Sequence, residues 1–187
     1  MQLYGRPRSR PSSLQITTRS GLNVIPADED VFIIGAELPE SEATRTALSD
    51  VGDHYDVVWK MGDKISVNGR LSNEVASGDD GKRSVNFTVS DSPSAPYNVL
   101  YPGTTSTNVI SLPATQSYFA NSFDGAAAAM YGIATQNGST YSVKLKHFCG
   151  VLRFALNGSA TLTKIEINSL GSEKLRGNFT ISNFGTG

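Results

Sequence analysis

The chain has 187 residues, enough for one well-filled core, and its 16 Lys and Arg nearly balance 17 Asp and Glu. The resulting net charge of -1 provides no field that would draw phosphate backbones or anionic lipid, which argues against nucleic acid as a partner. Eighteen Gly, eight Pro and short apolar runs favour an all-β fold over a helical one, and no run approaches the roughly 18 apolar residues of a transmembrane segment.

Residues 1–13 are basic, punctuated by Pro and without periodicity, the pattern of a loosely ordered arm or an added remnant. Arg6, Arg8, Arg10 and Arg19 lack interleaved aromatics and accompany no apolar stretch, so the segment reads neither as a nucleic-acid arm nor as a signal peptide. Residues 14–187 are expected to form one antiparallel β-sandwich domain. Leu14 and Ile16 alternate with polar neighbours, and Val31-Phe32-Ile33-Ile34 is continuously apolar, which predicts two early strands. Residues 37–53 are polar, carry Thr44-Arg45-Thr46, and read as an exposed, protease-accessible loop.

Residues 55–59 and 64–67 flank Lys60-Met61-Gly62-Asp63, predicting strand, tight turn, strand. Asn68-Gly69 and Asp79-Asp80-Gly81 are further turn signals. Val85, Phe87 and Val89 then alternate with Asn86 and Thr88, and Tyr97, Val99 and Tyr101 form another strand closed by Pro102-Gly103. Residues 104–124 read as a long Ser/Thr-rich connection over the core edge, and residues 126–129 as a strand of small residues between Gly125 and Gly132. The organising stretch is 141–156: Tyr141, Val143 and Leu145, then Leu152, Phe154 and Leu156, predict two core strands joined across Phe148-Cys149-Gly150. After an Asn157-Gly158 turn, Ile165 and Ile167 are expected to face inward, and Phe179 and Ile181 repeat the pattern. The closing Gly185-Thr186-Gly187 looks like a truncation or the start of a linker.

Chemistry-bearing constellations are sparse. A single Cys, Cys149, excludes an intramolecular disulfide, and its apolar neighbours suggest a small core residue. Cysteine avoidance fits a cytoplasmic protein and equally an exported bacterial one. His54 and His147 have no partner at metal-ligand spacing: His147 reads as a satisfied sheet histidine and His54 as an exposed one. No G-x-S-x-G occurs, and Asp28-Glu29-Asp30 and Asp79-Asp80 lack the spaced oxygens of a calcium loop. The expectation is therefore no catalytic, metal or cofactor-binding residue, and a protein that is not an enzyme. Four N-x-[ST] matches, at Asn86, Asn137, Asn157 and Asn178, carry no function, two of them falling in expected strands.

An ordered set of short motifs does carry a resemblance. Phe32-Ile33-Ile34-Gly35-Ala36, Thr44-Arg45-Thr46 and Val58-Trp59-Lys60-Met61-Gly62-Asp63-Lys64-Ile65-Ser66-Val67 open it. Tyr101-Pro102, Leu112-Pro113-Ala114-Thr115-Gln116, Met130-Tyr131-Gly132, Phe148-Cys149-Gly150-Val151-Leu152, Ile165-Glu166-Ile167 and Gly177-Asn178-Phe179 follow. This succession, over residues 31–182, resembles the N-terminal domain of fimbrillin-like proteins of the Bacteroidales.

The resemblance implies a transthyretin-like β-sandwich belonging to a pilus (fimbria) subunit, or to a tip or anchor lipoprotein, at the cell surface and outer membrane. It implies partners that are other pilus subunits, joined when a strand of one fills a groove in the next after a protease removes the groove's first strand. On that reading Arg19 and Arg45 are the candidate processing positions, with residues 14–18 and 22–34 as removable strands. The chain departs from the pattern at Ala129, where the family usually has Pro, and carries neither the lipidation Cys nor a second domain. The alternative reading is a stand-alone surface module recognising a glycan or a protein of host or bacterium through aromatic stacking. For that role Trp59 reads as core and Tyr97 as a weaker choice, leaving Tyr118 and Phe119 as the candidate ligand-facing aromatics.

Overall fold

Strands dominate because apolar residues recur at every second position along much of the chain, and each such run has a neighbour to pair with. The computed structural model describes residues 31–39, 47–50, 55–119, 123–150, 152, 154 and 156–185. The expectations for residues 1–30, including the arm and the first strand, lie outside the described residues.

Twelve strands are described: β1 (Val31–Glu37), β2 (Ala47–Asp50), β3 (Tyr55–Val58), β4 (Ser66–Val67), β5 (Arg70–Leu71), β6 (Ser84–Ser90), β7 (Tyr97–Tyr101), β8 (Val109–Leu112), β9 (Met130–Asn137), β10 (Thr140–Lys144), β11 (Lys146–His147) and β12 (Gly177–Thr180). The main sheet runs β5-β4-β7-β9-β10-β1-β6, with β11 added beside β9. All its pairings are antiparallel except β1 with β10, which is parallel from Ile34 opposite Tyr141 to Glu37 opposite Lys144. The two ends of this sheet meet. Ser72, just after β5, bridges Val89 of β6, and the Asn73 amide donates to the Thr88 carbonyl at 2.9 Å while Asn73 Oδ1 accepts from the Thr88 amide at 2.6 Å. The sheet thus curls into a barrel-like closure that covers its own edges.

The core inside the curl comes from the expected alternation. Phe32, Ile34 and Ala36 of β1 and Val85, Phe87 and Val89 of β6 all point inward, joined by Val99, Tyr101, Met130 and Val143. Trp59 is fully buried among them, with its ring edge-on to Phe87 at 5.0 Å and to Tyr101 at 5.5 Å, and its Nε1 donates to the Ala36 carbonyl at 3.3 Å. A second, smaller core lies on the other face of β7 and β9. There Leu100 and Ala129 meet Ile110 of the two-stranded β8–β12 ribbon and Ile181 and Phe184, which follow β12, with Tyr131, Ile133 and Phe148 at its margin. This sheet with a ribbon on its outer face is the all-β, antiparallel-dominated arrangement that composition pointed to.

Several local expectations need correction. The strand-turn-strand at 55–67 is not a hairpin: β3 pairs with β2, and β4 pairs with β5 and β7. The 37–53 loop contains β2, and the 104–124 connection contains β8, because each has a distant partner strand that local sequence does not show. Residues 125–127 form a short 3-10 turn, in which Asp124 Oδ1 accepts from the Ala126 amide at 3.0 Å, and a strand begins only at Met130. In the organising stretch β10 and β11 keep one register against β9, from Thr140 opposite Asn137 to His147 opposite Met130, and the strand pattern ends after His147, at a bend over Phe148-Cys149. Between them the Leu145 amide donates to the Glu37 carbonyl at 2.9 Å, and Gly132 keeps β9 close to this part of the chain, since a Cβ there would lie 2.7 Å from Val143 Cγ2 and 3.0 Å from the Lys144 carbonyl oxygen. Of the expected second core strand, the described residues 152, 154 and 156 lie in no strand. Leu152, Phe154 and Leu156 are 70%, 51% and 61% exposed, and Ile165 and Ile167, expected inward, are also open to solvent.

Candidate interaction surface

The conspicuous motif Trp59-Lys60-Met61-Gly62-Asp63 is built as a structural turn. Trp59 drops into the core, so the next residues must reverse direction at the surface, and Gly62 supplies the positive φ of +90° that this reversal uses. Asp63 closes the turn, its amide donating to the Lys60 carbonyl at 3.0 Å and its Oδ2 accepting from the Lys60 amide at 2.8 Å. Asp80 braces it from across the 79–81 turn, where Oδ1 accepts from the Met61 amide at 2.8 Å and Oδ2 lies 3.3 Å from Lys60 Nζ. These contacts, the Met61 amide first and Lys60 second, hold the Asp80 carboxyl below its ordinary range. Each of the two carboxylates holds one backbone amide of the turn and one side chain, Tyr101 for Asp63 and Lys60 for Asp80, an arrangement suited to stiffness.

Beside the turn, Gly62, Asp63, Lys64, Tyr101, Gly103 and Ala126 border an open depression of about 320 Å³. Burial, with Asp63 adding to it, pushes the Tyr101 hydroxyl far above its ordinary value, so it stays a proton donor to Asp63 Oδ1 at 3.0 Å. Among the described residues no group of His, Cys, Asp and Glu is placed to hold a metal ion, and no helix is long and apolar enough to cross a membrane.

His147 does lie on the sheet, in β11 opposite Met130, but it is not the satisfied histidine expected: its Nε2 is buried without a hydrogen-bond partner. Burial lowers its pKa to about 4. Cys149 is half-buried at the rim and belongs to neither core cluster; its Sγ sits 3.7 Å from the Ala127 carbonyl, and burial raises its thiol pKa. Arg19, Arg45 and His54 lie outside the described residues.

The surface of most interest is apolar. Tyr118 is 89% exposed and Phe119 50%, so both aromatics singled out from sequence are open to solvent, whereas Trp59 is core and Tyr97 packs against Phe32 and Tyr141. Beyond Gly150 the chain presents Leu152, Phe154, Leu156, Leu162, Ile165, Ile167, Leu170 and Leu175, each at least 46% exposed. Exposed apolar side chains that come together in one patch mark interaction sites. Residues 161–169 have no turn, bend, helix or ladder, and among the described residues their backbone groups take no backbone partner. Sequence reading placed Leu152, Phe154, Leu156, Ile165 and Ile167 in the core, because period-two alternation is identical whether the covering face comes from the same chain or from another.

No family model, curated protein or solved structure matches the chain.

Proposed function

We propose that this chain is a structural, non-enzymatic cell-surface protein of the fimbrillin type, a pilus subunit or a tip or anchor component that assembles by strand addition. The observation that carries the reading is the set of exposed apolar residues from Leu152 to Leu175, whose described residues lie in no ladder and precede strand β12 in the chain. Strand addition suits such a surface: main-chain hydrogen bonds give affinity and alternate side-chain sites give register. The ordered motif set, with its transthyretin-like fold and outer-membrane localisation, supports the same reading, and the Trp59–Asp63 motif residues have a structural role consistent with a rigid building block.

The test is limited digestion of the full chain with an Arg-specific protease, followed by mass spectrometry and size-exclusion chromatography. Cleavage at Arg19 or Arg45 with release of the leading segment and growth of oligomers is the expected result. A trimmed domain that stays monomeric removes the assembly reading. The second reading, a glycan- or protein-binding module, is favoured by the adjacent exposed Tyr118 and Phe119; it requires that Y118A abolish binding in a glycan or surface-protein screen while leaving the fold unchanged.

A further inference from the structure

The segment at 161–168, Thr-Leu-Thr-Lys-Ile-Glu-Ile-Asn, is rich in β-branched residues, carries one charge of each sign, and exposes every side chain. Its Lys164 and Glu166 pair with each other on one face, so they share a side of the backbone, while Ile165 and Ile167 are 46% and 54% exposed on the other. Opposite charges two residues apart around a central Ile have a particular consequence. When such a strand lies antiparallel to a copy of itself, centred on Ile165, each Lys164 falls opposite the partner copy's acidic position and each Glu166 opposite its basic one. Ile165 then faces its own counterpart, and Thr163 faces Ile167. The pattern is self-complementary, as a two-fold interface requires.

We propose that residues 162–168 form an intermolecular antiparallel strand pair with the same residues of a second copy of this chain, on a two-fold axis through Ile165. The pairing satisfies backbone groups that otherwise face water and gathers Ile165 and Ile167 of both copies on one face, Leu162 lying on the face of the charged pairs, with Leu152, Phe154 and Leu156 of each nearby in sequence to extend the covered area. The charge order favours a second copy, since in the self-pair each Lys164 meets a Glu166 and each Glu166 a Lys164. Neither proteolysis nor a removable first strand is involved, so the pairing stands apart from pilus assembly.

The experiment uses the intact, unprocessed chain. Sedimentation equilibrium is expected to show a concentration-dependent dimer. K164E and E166K each place like charges across the axis and should weaken dimerisation at least tenfold at low salt. An equimolar mixture of the two restores it as a heterodimer, and K164E/E166K restores the homodimer. Both positions are exposed, so folding is not at risk. I165C in a C149S background should form a disulfide-linked dimer under mild oxidation, because directly opposed residues lie at about 4.5–5.5 Å between Cα atoms, within disulfide reach. A chain that is monomeric at all concentrations overturns the proposal. So does a dimer indifferent to the charge swaps, or amide exchange showing the segment protected in a monomer.

Discussion

Tyr101 at the end of β7 donates its hydroxyl proton to Asp63, 38 positions earlier, at 3.0 Å, and that bond fastens the surface turn at 60–63 to the inner sheet. The same carboxylate holds the Lys60 amide, so the turn, the Trp59 side chain behind it and the closing end of β7 behave as one unit. Y101F keeps the ring against Trp59 and deletes only this bond. It should cost about 1–2 kcal/mol in urea unfolding, in the range for a hydrogen bond to a charged acceptor; an unchanged midpoint would show the bond to be energetically idle.

Trp59 is the chain's single Trp and has no solvent exposure. Its fluorescence should be that of a dry indole and should shift to the red in one cooperative step on unfolding. W59A should destabilise by about 3–5 kcal/mol, the usual cost of removing a large buried aromatic.

Gly132 of β9 packs against the end of β10, the strand that lies between β9 and β1. G132V forces a branched side chain against Val143 and the Lys144 carbonyl, and because one of those neighbours is backbone the strain cannot be relieved by a rotamer change. The expected loss is about 1–3 kcal/mol, typical of overpacking. Thermal melts of the variant beside G138A, whose added Cβ meets nothing within 4 Å but sits at a φ of +62°, separate crowding from turn strain.

His147 links stability to pH. Its folded pKa, about 4, lies below the unfolded value of about 6.5. Below pH 6.5 the unfolded state therefore binds the proton more readily, and stability falls as pH drops from about 6.5 to about 4, then levels. The ring retains some solvent, so the contribution is of order 1–2 kcal/mol after screening. H147F should flatten that part of the profile, and an identical slope in the variant would assign the effect elsewhere.

Phe154 and Phe87 read alike in sequence, yet Phe154 is 51% exposed and Phe87 fully buried. F154S should change stability by no more than about 0.5 kcal/mol while reducing binding of a hydrophobic dye. F87A should cost about 3–5 kcal/mol. A large penalty for F154S would place residues 152–156 in a core of the protomer itself.

How much of this was legible beforehand varies by element. The strands at 84–90 and 97–101 follow from alternation, and Asn68-Gly69 forms the two-residue hairpin loop its chemistry specifies, with φ of 51° and 79°. There the information is local: side-chain period and the tolerance of Asn and Gly for positive φ. Strands β2 and β8 were not legible, because neither alternation nor turn chemistry marks them and each depends on a partner far away in the chain.

The sequence by itself determined an all-β chain, the placement of Trp59 in the core and its turn residues, since burial preference and backbone sterics act on a few neighbouring positions. Only the tertiary structure decided that the main sheet closes through Ser72 and Val89, that β1 and β10 run parallel, and that the apolar residues at 152–175 are left uncovered. Alternation states that one face of a strand must be covered; which surface covers it depends on where distant segments arrive, and for this stretch none of the described ones does.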